Sequence, residues 1–242
     1  MIAELKTFIH SILPKRCAYC GCVIASNRLM CFECENNLPR INGDICNKCG
    51  REKKICSCKG AETYYTSLIA PFYFDGNVRK GIHAFKFRRS PDNAEAYCVE
   101  MADTIRKRLP CVNFDIVTEV PISDKSIRER GYSQCSLLAK GVSDLCGIEY
   151  KSGLFIKLYE TQKQHGLPYY KRRGNLAGVF DVSDPECVRD KTILICDDVS
   201  TTGETLNECA KMLWLYDAKE VYCVACALTK PKKKKSNKKE RK

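Results

Sequence analysis

The 242-residue chain has no apolar stretch near the roughly 20 residues that a membrane-spanning helix needs, so no span is expected. Its opening residues Met1–Leu13 include Glu4 and lack a small-residue cleavage site, so no secretion signal is read there either. Both absences point to the cytoplasm, where the 18 cysteines would be thiols or metal ligands rather than disulfides. No G-x4-G-K-[ST] loop occurs, because Gly76-x4-Gly81 is followed by Ile82; an ordinary kinase or ATPase is excluded. There is no G-x-S-x-G, and only His10, His83 and His165 are present, none in a setting that suggests a catalytic base.

What is present reads as a soluble globular body with a charged end. Hydrophobic residues make up 44% and charged residues 29%, with unremarkable Gly and Pro counts. The formal net charge is +12, but Lys230–Lys242 holds nine Lys or Arg against one Glu, which leaves the rest of the chain at about +4. Such a tail is too hydrophilic to fold; it either attracts a polyanion such as nucleic acid or only solubilises the chain. Ile2, Leu5, Phe8, Ile9 and Ile12 share one helical face, suited to docking on the chain's own domain or on a partner.

The cysteines divide the chain. Nine lie between Cys17 and Cys58, and the other nine are scattered over the following 184 residues. From Ser67 onward, apolar runs alternate with helix-period segments, the pattern of an α/β domain with a parallel sheet. The spacing predicts strands over Ser67–Phe74, Asp115–Val120, Thr192–Cys196 and Val221–Leu228. It places Tyr97, Met101 and Ile105 on one helix face, Cys135, Leu138, Ala139, Val142 and Leu145 on another, and Leu206, Cys209, Ala210 and Leu213 on a third. The expected organisation is an N-terminal helix over 1–16, a cysteine-rich module over 17–59, the α/β domain over 60–230 and a basic tail over 231–242.

Four close pairs occur in order: Cys17-x2-Cys20, Cys31-x2-Cys34, Cys46-x2-Cys49 and Cys56-x-Cys58. Each supplies two thiolates from one tight turn, and a tetrahedral zinc needs four, so eight cysteines suit two closed, structural sites. Glycines after Cys20 and Cys49 would help those turns bend back. Sequential pairing gives Cys17/Cys20/Cys31/Cys34 and Cys46/Cys49/Cys56/Cys58; interleaved pairing, or one zinc with spare thiols, also fits the spacing. Cys22 is the odd one out. Metal is expected to supply much of this module's folding free energy, since about 40 residues hold too little core to stand alone.

The segment Ile193–Thr205 reads as a strand, two carboxylates, a Thr/Gly loop and a helix. Asp197 and Asp198 would be delivered to the sheet edge, where ionised carboxylates accept hydrogen bonds from a vicinal diol such as the ribose 2′- and 3′-hydroxyls. Ser200, Thr201, Thr202, Gly203, Glu204 and Thr205 would then turn N–H groups and hydroxyls toward one point at a helix N-terminus, which favours a phosphate dianion. The alternative for Asp-Asp alone is a helix cap or surface turn. Acids for a diol and amides for a phosphate, one loop apart, suit a ribose 5-phosphate.

This segment resembles the signature with which type I phosphoribosyltransferases bind phosphoribosyl pyrophosphate (PRPP). Over roughly Cys17–Leu228 the chain resembles the ComF/ComFC family of competence proteins, which join a cysteine-rich zinc module to such a domain. Lys86 within Ile82–Phe87 is similar to the family's early lysine motif, and Arg128–Gln134 to its Arg-Gly-aromatic-Asn-Gln motif, with Ser133 in place of Asn. Thr161–Leu167, Arg172–Asn175 and Gly178–Phe180 are similar to its mobile-loop region, and Thr161–Arg173 has the polar, basic composition of a closing lid or of an ordinary loop.

The resemblance implies a type I phosphoribosyltransferase-like parallel sheet flanked by helices behind a four-cysteine-type zinc module. It also implies PRPP with Mg2+ as ligand and a role in DNA uptake beside other competence proteins. On this reading Asp197 and Asp198 are catalytic and hold the ribose, and Val199–Thr205 surround the 5′-phosphate. Arg128, Arg130 and Lys86 would meet pyrophosphate, with the loop after Val120-Pro121-Ile122-Ser123 helping through its N–H groups; the alternative for each arginine is a solvated surface position. A second reading makes the fold a ligand-sensing or structural module of a single-stranded-DNA-binding factor, with Tyr64, Tyr65, Tyr169 and Tyr170 stacking bases.

Overall fold

The computed structural model describes residues 14–56, 58, 61–87, 90–157 and 180–231. The expected N-terminal helix, the Thr161–Arg173 segment with Tyr169 and Tyr170, and the tail beyond Pro231 lie outside them. No helix among the described residues is long and apolar enough to cross a membrane.

One parallel sheet organises the chain. Its order is β1 (Ser67–Ile69), β8 (Glu220–Leu228), β7 (Thr192–Ser200), β3 (Ile116–Glu119) and β4 (Glu149–Tyr150), and β2 (Phe72–Tyr73) pairs with β8 beyond β1. β7 and β8 run side by side from Thr192↔Glu220 to Ser200↔Leu228. Their sequences TILICDDVS and EVYCVACAL carry no alternation because both faces are covered, as in α/β sheets generally. β5 (Phe155–Lys157) and β6 (Phe180–Val182) form a separate antiparallel pair.

The two faces bury different sets of residues. Leu194, Cys196, Val224 and Cys226 point into a core shared with α2 (Gly76–Phe87), α3 (Ala94–Arg108) and α5 (Gln134–Cys146). Ile193, Ile195, Cys223 and Ala225 point to the other core, with α6 (Glu204–Leu215) and the β5–β6 pair. The stripes Tyr97/Met101/Ile105 and Leu206/Cys209/Ala210/Leu213 are buried as their periodicity requires. Each large aliphatic chain in them contributes about 1.5–3 kcal/mol by leaving water.

Three expectations are corrected. Ser67–Phe74 is two strands, broken at Ala70-Pro71, because proline has no N–H for the ladder. β7 does not end at Cys196 but runs to Ser200, so both aspartates lie within the strand. Leu145 is 42% exposed, because on the last turn of α5 the buried stripe continues from Val142 to Cys146, which packs on the core, and leaves Leu145 outside it.

The cysteine module packs as part of the same body. Cys17, Ala18, Tyr19, Cys34 of the short helix α1 (Phe32–Asn37) and Leu38 belong to the core of α2 and α3. Its backbone also closes the open sheet edge: Ile41 N–H donates to Pro71 O (2.9 Å), Tyr73 N–H to Pro39 O (2.8 Å) and Leu68 N–H to Asn47 O (2.8 Å). An uncovered edge would offer those groups to other chains.

Candidate active site and metal centres

The metal centres follow from two similar turns. In the first, Cys17 N–H donates to Cys22 O (2.8 Å) and Gly21 N–H to Cys17 O (2.9 Å); in the second, Cys46 N–H donates to Arg51 O (2.8 Å) and Gly50 N–H to Cys46 O (2.7 Å). The sulfurs of Cys17, Cys20, Cys31 and Cys34 lie within 4.8 Å of one another, and so do those of Cys46, Cys49, Cys56 and Cys58. These are the sequential sets. Pairs Cys20–Cys31 (3.6 Å), Cys46–Cys58 (3.5 Å) and Cys49–Cys56 (3.6 Å) are close to the edge of about 3.8 Å that four Zn–S bonds of about 2.3 Å define.

The thiols are poised for deprotonation unequally. The N–H of Cys34 draws the Cys31 thiol down to about 6, and the N–H of Cys58 draws Cys56 down to about 7. Cys22, whose hydrogen bond to Cys20 favours its thiol form, is pushed up to about 12 and stands outside the four-sulfur sets. Two soft, four-thiolate donor sets of this size fit structural zinc, with no position left for a substrate water.

The second centre of chemistry is at the C-terminal end of β7, where an open α/β sheet presents its binding edge. Asp198 is buried, and Lys86 Nζ from the last turn of α2 reaches both its carboxylate oxygens at 2.8 Å. Asp197 Oδ1 accepts the Asp198 N–H at 2.7 Å and lies 3.7 Å from Cys135 Sγ. Burial, reinforced by the charge of Asp198, raises the Asp197 carboxyl from 3.8 to about 7, while Lys86 opposes the rise. A carboxyl that titrates there can donate to or accept from a sugar hydroxyl.

Beyond Ser200 the chain bends through Thr201 and Thr202 into Gly203, which takes φ +84° as the N-cap of α6 and makes no side-chain cap. A residue with a Cβ would be strained at that φ, and its Cβ would stand 3.2 Å from Tyr65 Oη. Thr202 Oγ1 accepts the Glu204 N–H at 3.4 Å. The turn therefore brings backbone amides and hydroxyls to a helix N-terminus beside the two acids, a combination suited to an anion.

The arginine motif is built differently from a simple phosphate grip. Arg130 ends α4 (Asp124–Arg130), its Nη1 donates to Gln134 Oε1 at 2.9 Å, and its guanidinium lies 5.3 Å from the centre of the Phe87 ring. Tyr132 Oη donates to Phe85 O, and Ser133 caps α5 by accepting the Ser136 N–H at 3.1 Å. The motif thus joins α4 to α5 and ties both to the helix that carries Lys86. Arg128 is exposed, with no partner among the described residues.

Tyr65, expected as a stacking surface, is buried instead, with Oη donating to Lys48 O at 2.6 Å. Sequence reasoning passed over Glu119, buried at the end of β3, whose Oε1 takes Ser136 Oγ (3.2 Å) and Gly153 N–H (3.3 Å) while Oε2 has no partner among the described residues. A single carboxylate in an apolar strand gives no spacing signal.

Residues 149–242 match the family model described as phosphoribosyl transferase domain, and residues 8–65 match the double zinc ribbon domain. Competence protein ComFC of Bacillus subtilis (strain 168) is 26% identical over 194 residues, 76% of this chain and 77% of that protein. Competence protein F of Haemophilus influenzae is 28% identical over 218 residues, 85% and 93% of the two chains. DNA utilization protein YhgH of Escherichia coli (strain K12) is 25% identical over 221 residues, 88% and 90%. The class that fold and site define is a double zinc ribbon joined to a phosphoribosyltransferase-type domain. Within that class the chain is similar to the competence proteins ComFC and F, at 26% and 28% identity over 76% and 85% of its length.

Proposed function

We propose that the chain binds PRPP with Mg2+ at the end of β7 and serves DNA uptake, in keeping with the words competence and DNA utilization in the names of its relatives. The carrying observation is the pair of acids on β7, one held by Lys86 at 2.8 Å, followed directly by the Gly203 turn. Asp197 and Asp198 would take the ribose diol, and the Ser200–Thr205 amides and hydroxyls the 5′-phosphate. Mg2+ would be held mainly by ligand oxygens and water.

The reaction such a site supports is displacement at ribose C1. The C1–O bond to pyrophosphate breaks with its electron pair leaving on pyrophosphate, an acceptor nucleophile bonds to C1, and the acceptor's proton passes to solvent. Charge grows on the leaving group, so cations there matter more than a protein base. Lys86, Arg128 and Arg130 are the candidates for that task, the last by a turn away from Phe87 and Gln134. A screen for pyrophosphate release from PRPP and Mg2+ across bases, amines and single-stranded DNA tests the transferase reading. Release with no acceptor above the uncatalysed rate would reduce the site to a binding site.

A single-stranded-DNA-binding role has its own support. Tyr64 is 42% and Trp214 59% exposed, their ring centroids are 5.9 Å apart, and Lys211 Nζ lies 5.8 Å from the Tyr64 ring. An exposed aromatic pair with a lysine over it can stack a base. Oligonucleotide titration should quench the fluorescence of Trp214, the chain's one tryptophan; unchanged emission removes this surface from the account.

A further inference from the structure

The second zinc ribbon touches the Ser200–Gly203 turn directly. Arg51, two residues past Cys49, donates from Nη2 to Thr201 O (2.5 Å) and from Nε to Thr229 O (2.7 Å). Thr229 in turn donates its N–H to Ser200 O (3.2 Å) and its hydroxyl to Thr201 O (3.3 Å). At its other end the Arg51 carbonyl accepts the Cys46 N–H at 2.8 Å, which ties it to the turn that carries Cys46 and Cys49. A second strut is Tyr65, which bonds Lys48 O between two of the zinc ligands and lies against Gly203.

A peptide unit is planar and trans, so its C=O and the next N–H point in opposite directions. Clamping Thr201 O therefore fixes the direction of the Thr202 N–H, away from the guanidinium and available to a ligand. The planar fork of arginine holds two carbonyls in a fixed relative direction, which the compact, freely rotating ammonium of lysine does less rigidly. The zinc-held turn supplies the fixed base from which the fork acts.

We propose that Arg51 is a positioning residue: anchored on the Cys46/Cys49/Cys56/Cys58 zinc turn, it pre-sets the Ser200–Thr205 amides for a phosphate and so couples that zinc site to ligand affinity. The proposal rests on reading this turn as the phosphate cradle.

The test uses full-length, zinc-replete protein and two readouts. Amide exchange by mass spectrometry is followed on peptides covering Ser200–Thr205 without ligand, and PRPP with Mg2+ is titrated by calorimetry, with zinc content assayed in every sample. Arg51→Ala should keep two zincs, exchange those amides on the order of tenfold faster, and bind PRPP about tenfold more weakly, about 1.4 kcal/mol. Arg51→Lys should recover part of both effects. Arg28→Ala, in the first ribbon where Arg28 bonds Met30 O and Glu35, should change neither. Should Arg51→Ala release zinc, Arg51→Lys, which keeps the charge and the backbone, carries the comparison. Exchange and affinity both unchanged in a zinc-loaded Arg51 variant overturn the proposal. Faster exchange in the variant, with a parent that does not bind PRPP, upholds the clamp and overturns the ligand reading.

Discussion

The ion pair between Lys86 and Asp198 joins α2 to the end of β7, and its removal should be felt in stability before any ligand is added. The side chains are 23% and 10% exposed, so both charges are largely out of water. Breaking a fully buried pair by removing one partner costs about 3–5 kcal/mol because a charge is stranded, and the partial exposure of Lys86 lowers that to about 2–3 kcal/mol for Lys86→Met. That variant leaves two adjacent carboxylates with no cation between them, and Lys86 is one of the groups that hold the Asp197 carboxyl down. Asp198→Asn should cost less, about 1–2 kcal/mol, since the lysine stem can carry its ammonium to solvent. The double variant strands nothing, so the two losses should fall short of adding by about 1–2 kcal/mol. Urea unfolding followed by circular dichroism on zinc-loaded protein gives all four corners of the cycle. A coupling below about 0.5 kcal/mol would refute the pairing that the geometry shows.

The other expected outcomes concern Asp197 and the ribbons. Asp197 titrates near 7 when folded against 3.8 as a free side chain, so the folded state holds the extra proton; stability from this group is full below about pH 4 and is lost as pH rises through 7. Asp197→Asn should accordingly gain on the parent in melting temperature from pH 5 to pH 8, and a pH-independent difference would contradict the burial argument. Zinc content should be two ions per chain, falling to one in Cys46→Ser, and a chelator strong enough to empty both sites should unfold residues 14–58 and loosen α2 and α3, whose core they share. A parent with one zinc per chain would contradict the two closed sets.

Much of this was legible because some chemistry is written locally. Two cysteines two or three positions apart must lie on one turn, and the structure groups their sulfurs in sequential sets. The apolar run before Asp197 marked a doubly covered strand, and helix periodicity marked most of the buried stripes. What spacing could not show depends on contacts between distant residues. Arg51 meets Thr201 across 150 positions, and Lys86 meets Asp198 across 112. The tyrosine pair Tyr64–Tyr65 looked symmetrical in sequence, yet one ring is exposed and the other is buried against the second ribbon. The Arg128–Gln134 motif looked like a ligand grip, yet Arg130, Ser133 and Gln134 are engaged in a helix joint while Arg128 stays exposed. Pro71, by contrast, was a readable break within Ser67–Phe74 that the apolar pattern overrode.

The claim on which the functional account stands is that Asp197, Asp198 and the turn after them form a site for a ribose bearing a phosphate. The most direct measurement is calorimetric titration of zinc-replete protein with PRPP and Mg2+, beside the same titration of the folded Asp197→Asn/Asp198→Asn double variant. The account predicts a saturable event near one ligand per chain in the parent and its loss in the variant. No heat from the folded parent, or equal affinity in the two proteins, would contradict it.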